Sequence, residues 1–139
     1  MRELYQNNEL SYEKNAYAER NVFLTEKWDS ASIPKYEDVA QKLPMPIFDG
    51  HSDYIACYDY AWKTAFGNLF QPTEESGFIS NFIDTAFNGC LFMWDSCFIL
   101  MFAKYAARLF PFQNTLDNFY AKQHRDGFIC REIRESNGR

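Results

Sequence analysis

The stretch FMWDSCFILMFAKYAARLF, residues 92–110, contains the most apolar part of this 139-residue chain. From Asp95 to Phe110 it is apolar on nearly every side, and only Lys104 and Arg108, four residues apart, form a polar stripe. This pattern predicts a helix that is mostly buried and that ends at Pro111.

Apolar residues at spacings of three and four predict two further helices. The first spans SDYIACYDYAWKTAFGNLF, residues 52–70, with Ser52 or Asp53 as its cap and Pro72 after its end. The second spans FQNTLDNFYAKQH, residues 112–124. Three helices of this kind indicate a helical protein.

The segments between these helices are long and contain turn-forming residues. Pro34, Pro44, Pro46 and Gly50 exclude a long helix before residue 51. The ranges 77–83 and 128–133 are predicted to be extended pieces, the second preceded by a turn at Asp126-Gly127. The sequence therefore predicts an all-α fold of antiparallel helices joined by long loops, and such loops usually carry function.

Composition and charge exclude several classes of partner. The net charge is −5 with no cluster of Lys and Arg, which argues against nucleic acid and against an anionic membrane surface. The N-terminal residues show no apolar signal sequence, and no window is apolar enough to span a membrane, so the default expectation is a cytoplasmic location. The aromatic share of 19% suggests either an aromatic core or a groove lined with aromatic rings.

The potential metal ligands form weak patterns. The DGHSD run spaces Asp49, His51 and Asp53 at alternate positions, which suggests either a metal site or the caps of a helix start. The four cysteines include no C-x-x-C pair and are predicted to be buried free thiols: Cys57, Cys90, Cys97 and Cys130. No metal or other cofactor is predicted.

Asp95 is the residue whose local context is most ambiguous. At the start of a buried helix, its carboxylate could cap the first backbone N–H groups. Alternatively, its apolar neighbours could favour the neutral carboxyl of a general acid, although the helix N-terminus favours the anion. A carboxyl group at the floor of an aromatic-lined hollow would favour catalysis, whereas a solvent-facing cap with no cleft beside Trp94 would favour a non-catalytic module.

An ordered set of residues from Trp94 to Gly127 resembles the (α/α)6-barrel, or six-hairpin, glycoside hydrolases of the trehalase and mannosyl-oligosaccharide glucosidase group. A long loop ends in Trp94-Asp95, two helices follow, and then come Gln123 and Asp126-Gly127 before an extended piece. The resemblance implies a partial (α/α)6 toroid, with a polar, partly helical segment at residues 1–43 and an incomplete catalytic domain at residues 44–139.

The resemblance also implies a mechanism and a site. Asp95 is expected to protonate the glycosidic oxygen in an inverting reaction, while a second carboxylate activates water. The resemblance assigns substrate contacts to Trp94, Asn88, Gln123, Arg131 and Glu132, although Arg131 and Glu132 could equally form a solvated pair. The expected partner is an oligosaccharide or glycoside.

The length of the chain adds two expectations. A complete toroid needs twelve helices, so the sequence predicts a fragment whose catalytic base lies outside this chain and which self-associates or binds the remainder of the barrel. The alternative is a non-catalytic all-α module that binds carbohydrate or protein through its aromatic residues.

Overall fold

The computed structural model describes residues 14–85 and 88–139. Within them lie four α-helices: α1 (Tyr36–Val39), α2 (Ser52–Gly67), α3 (Met93–Ala103) and α4 (Asp117–Tyr120). Single 3-10 turns occupy Ala18–Arg20, Val22–Leu24, Ala40–Lys42, Lys104–Ala106 and Phe112–Leu116.

Four short strands form two separate antiparallel pairs. Strand β1 (Leu69–Phe70) pairs with β2 (Phe82–Ile83). Strand β3 (Cys90–Phe92) pairs with β4 (Glu132–Arg134), in a register that sets Phe92 opposite Glu132. The β3–β4 pair joins segments about forty residues apart in sequence, so it is a tertiary contact and not a local hairpin.

The predicted all-α toroid is therefore wrong, because the described residues form a mixed fold of short helices and two small sheets. The extended pieces predicted at residues 77–83 and 128–133 do form or lead into strands, and each pairs with another segment. Pairing satisfies the backbone N–H and C=O groups of these segments, which is why they form sheet structure and not loops.

The helix predicted at residues 52–70 is confirmed as α2 up to Gly67, whereas Leu69–Phe70 form strand β1; α2 is the longest regular element described. Its predicted apolar stripe contributes Trp62, Ala65 and Phe66 to the larger cluster of buried apolar residues, which we call the main core. No side chain caps its first turn. His51 occupies the capping position, which had been predicted for Ser52 or Asp53. Its stability therefore depends on burying that stripe.

Helix α3 differs from its prediction at both ends and in burial. It begins at Met93 instead of Asp95, and after Ala103 it continues only as a 3-10 turn to Ala106. Leu100, Ala103 and Ala106 join the main core, whereas Trp94, Phe98, Met101 and Tyr105 are exposed. The prediction of a mostly buried helix is wrong because only one stripe of α3 has another element packed against it.

A second apolar cluster lies beneath the β3–β4 pair and contains Phe78, Phe82, Leu91, Phe119 and Ile133. The helix predicted at residues 112–124 is here a 3-10 turn followed by the four-residue α4. Hydrogen bonds from buried polar side chains hold this irregular segment in place. The Thr115 hydroxyl oxygen accepts the Ile83 N–H at 3.1 Å, so the turn is tied directly to β2.

All four cysteines are free, as predicted, but Cys57 and Cys97 are exposed and only Cys90 and Cys130 are partly buried.

Among the residues that the structure describes, no helix is long and apolar enough to cross a membrane.

Candidate functional site

Trp94 and Asp95 lie in the first turn of α3 and both are exposed. The indole of Trp94 is 74% exposed and lies 5.3 Å from the Phe98 ring, centroid to centroid. Asp95 does not cap the helix, whose capping position is Phe92. The bond at this end of α3 is instead donated by the Ser96 hydroxyl to the Phe92 carbonyl, at 2.8 Å. The carboxylate of Asp95 is thus free of a capping role.

The β3–β4 pairing brings Arg131 and Glu132 to the same end of α3. The Met93 N–H donates to the Arg131 carbonyl oxygen at 2.8 Å, and Glu132 lies opposite Phe92 in the ladder. The Arg131 guanidinium lies 3.5 Å from the Glu132 carboxylate, and both side chains reach solvent. Backbone pairing thus places four exposed predicted site residues at one end of α3, and we call this region the α3 acid surface: Trp94, Asp95, Arg131 and Glu132.

Asn88 and Gln123 do not belong to this surface. Asn88 precedes the opposite end of β3, and its side-chain oxygen accepts the Cys90 N–H at 3.1 Å. The Gln123 side chain accepts from the Asn21 amide at 2.8 Å and donates to the Gly127 carbonyl at 2.9 Å. Gln123 thereby supports the turn at Asp126-Gly127, where Gly127 has a φ of 97° that favours glycine.

Trp94 and Asp95 both face solvent. A groove at residues 46–55 and a cavity between residues 26–34 and 109–117 are both lined by other side chains. A buried Asp95 was expected for a catalytic acid and a solvent-facing one for a non-catalytic module. The exposure of Asp95 therefore favours a binding surface over an enclosed acid. The Trp94 indole remains a flat apolar face beside a carboxylate, an arrangement suited to a sugar ring with an apolar C–H face and polar hydroxyl edges.

A second acidic site lies at the other end of the β3–β4 pair and has no motif in the sequence. Asp84 is 5% exposed and follows β2, with its N–H donating to the Asn68 carbonyl at 3.0 Å. Glu135 follows β4, and its N–H donates to the Gly89 carbonyl at 3.0 Å. The side chains of Asp84 and Glu135 are hydrogen-bonded to each other.

Burial raises the pKa of Glu135 to about 8, with further contributions from the hydrogen bond to Asp84 and from its charge. Two carboxyl groups in contact cannot easily both ionise, so this pair, which we call the buried acid pair, retains a proton at neutral pH. In the sequence, only the apolar residues that precede Asp84 indicate that this aspartate is buried. They do not indicate that Glu135 is its partner.

The proposed metal ligands do not form a site. In the described ranges 14–85 and 88–139, no group of three His, Cys, Asp or Glu side chains is placed to hold a metal ion. His51 instead packs in an aromatic cluster, 4.3 Å from the Phe48 ring and 5.5 Å from the Tyr54 ring, centroid to centroid.

Comparisons of this chain with protein-family models, with curated proteins and with solved structures give no match.

Proposed function

We propose that this chain acts on carbohydrate through the α3 acid surface and contributes to glycoside hydrolysis with Asp95 as the general acid. The observation that supports the proposal is the backbone pairing that places the exposed residues Arg131 and Glu132 at the end of α3 that carries Trp94-Asp95. The order of Trp94-Asp95, Gln123 and Asp126-Gly127, which resembles the trehalase-like glycoside hydrolases, supplies the reaction class.

In this proposal the Trp94 indole stacks against the sugar ring, and the substrate excludes water from Asp95. Exclusion of water from a carboxyl group favours its neutral form. Asp95 then gives its proton to the leaving oxygen. A second carboxylate, assigned by the proposal to a position outside this chain, removes a proton from the attacking water on the opposite face. The Arg131 guanidinium can donate hydrogen bonds to substrate hydroxyl groups.

The test is the substitution Asp95→Asn in the full protein, assayed with a panel of alkyl and aryl glycosides. Loss of a general acid lowers turnover of alkyl glycosides by about 100-fold or more. A dinitrophenyl glycoside has a leaving group that departs without protonation, so its turnover should be largely retained. This split separates a lost proton donor from a damaged fold.

Asp53→Asn is the matched control, because Asp53 is also an exposed aspartate in the first turn of a helix. It should leave both substrates unaffected. Retained turnover of alkyl glycosides by Asp95→Asn would contradict the assignment of Asp95.

The second candidate function is a binding module without catalysis, and one observation favours it. Helix α3 and the 3-10 turn that follows it expose an apolar face next to an unburied Asp95, formed by Trp94, Phe98, Met101, Phe102 and Tyr105. Binding of oligosaccharides that changes the tryptophan fluorescence, is lost in Trp94→Ala and is unaffected by Asp95→Asn, without turnover of any glycoside, would select the module.

A further inference from the structure

A cavity of about 470 Å³ lies away from the α3 acid surface. Its walls come from the N-terminal segment at residues 26–34, from residues 79–81 before β2, and from residues 109–117, which end at the first residue of α4. The volume lies within the range of small-molecule sites, about 300–1,000 Å³. The cavity is therefore large enough to hold an organic ligand.

Hydrogen bonds from buried amides hold these walls in place. Asn118 is fully buried, and its side-chain oxygen accepts the N–H groups of Ile79 at 2.9 Å and Ser80 at 3.1 Å. Asn81 donates to the Ala31 carbonyl at 2.8 Å and accepts from the Trp28 indole at 2.9 Å. The N-terminal segment is thus attached to the rest of the molecule, and the cavity is shaped before any ligand binds.

The cavity contains more negative than positive charge. Three carboxylates line it, those of Glu26, Asp29 and Asp117, against the single ammonium group of Lys27. Within the described part of the chain, no Lys or Arg forms an ion pair with any of the three. Burial, and next the charge of Glu26, raise the pKa of Asp117, and the Ser80 hydroxyl at 3.5 Å offsets this only in part. A positive charge placed beside Asp117 would stabilise its ionised form.

The rest of the lining combines polar side chains, such as Ser80 and Asn114, with apolar ones, among them Ile79, Leu109 and Phe110. The described residues offer no group of three ligands for a metal ion here, whereas an organic cation could use the apolar wall as well as the acids. We propose that this cavity binds an organic ammonium ion, with the ammonium group against Asp117 and Glu26 and the apolar body against Leu109 and Phe110. This site is independent of the proposed glycoside chemistry.

The test compares benzylamine, which is a cation at neutral pH, with benzyl alcohol, its neutral counterpart of similar shape. Calorimetric titration of the full chain should detect benzylamine binding, with benzyl alcohol weaker by about tenfold or more, as expected for a hydrogen bond to a charged group. Equal affinity for the two compounds, or no benzylamine binding up to about 10 mM, would overturn the proposal.

The substitution Asp117→Asn removes the charge at nearly constant shape and should weaken benzylamine binding by about tenfold while leaving benzyl alcohol unchanged. Asp53→Asn, on α2 and outside the cavity, should change neither. Glu26→Gln provides a second test, because Glu26 lies on an exposed segment and its substitution does not disturb the core. Unchanged benzylamine affinity in Glu26→Gln and in a folded Asp117→Asn would refute the site; if Asp117→Asn does not fold, the result for Glu26→Gln decides alone.

Discussion

The two ends of the β3–β4 pair carry carboxylates in opposite environments. At one end Phe92 leads into α3, where Asp95 is exposed beside Trp94. At the other end Glu135 follows β4 and shares a hydrogen bond with Asp84, which is almost fully buried. Three paired residues separate the two ends, a length of about 10 Å. A local motif predicted Asp95 as the functional acid, whereas Glu135, whose pKa is raised by burial and by Asp84, has no motif in the sequence.

The exposure and protonation of a carboxyl group at either end of the β3–β4 pair depend on the residues that pack around it. The aromatic residues of α3 lie beside Asp95 in sequence but project from the surface, so they do not bury it. Asp84 and Glu135 are instead held by distant segments, as the backbone bonds from Asp84 to Asn68 and from Glu135 to Gly89 show. Apolar neighbours in sequence are therefore a poor guide to the desolvation of a carboxylate.

The largest difference between the two regions is expected when an aromatic ring is removed from each. Phe119 is 0% exposed beneath the β3–β4 pair, whereas Phe98 on α3 is 56% exposed. Phe119→Ala should lower the free energy of unfolding by about 3–5 kcal/mol, because it removes buried area and leaves a cavity. Phe98→Ala should change it by no more than about 0.5 kcal/mol. Urea unfolding curves of the two variants measure both values, and equal losses would show that the face of α3 is buried in solution.

A smaller loss of stability is expected at the buried amide that supports both the cavity and the second apolar cluster. Asn118→Ala leaves the N–H groups of Ile79 and Ser80 without their acceptor. An orphaned buried donor costs about 1–3 kcal/mol, and thermal unfolding should detect it. Asn114→Ala is the control, because Asn114 lines the same cavity but is exposed. If the two variants are equally stable, the Asn118 bonds do not hold the wall.

A third effect, which depends on pH, is expected from the titration of the buried acid pair. The pKa of Glu135 is about 8 in the folded chain, above its ordinary value of 4.5. The folded state therefore binds a proton that the unfolded state releases, and the resulting stabilisation is complete below pH 4.5 and declines until the pH passes about 8. The raised pKa of Asp117 acts in the same direction.

Melting temperatures of the original chain and of Glu135→Gln, measured between pH 5 and pH 9, isolate the contribution of Glu135. The variant should lose stability less steeply with rising pH, since its amide does not ionise. Parallel curves would contradict a shared proton between Asp84 and Glu135, and would reduce the contrast between the two ends of the β3–β4 pair.

The sequence by itself determined the elements whose signals are local. The stripe of Trp62, Ala65 and Phe66 identified α2, because apolar residues that recur with the helical period of 3.6 can be recognised from the local sequence alone. Asp126-Gly127 identified a turn, because only glycine readily adopts the positive φ found at Gly127. The same local reading grouped Trp94 with Asp95, and these two residues do occupy one turn of α3.

Only the tertiary structure decided which segments pair and which side chains are buried. The pairing of β3 with β4 across about forty residues, the contact between Asp84 and Glu135, and the exposure of one face of α3 all depend on distant parts of the chain. The physical reason is that strand pairing and burial are satisfied by whichever segment supplies the missing hydrogen bonds and apolar surface. A period in the sequence records which face of an element is apolar, but it does not record what will cover that face.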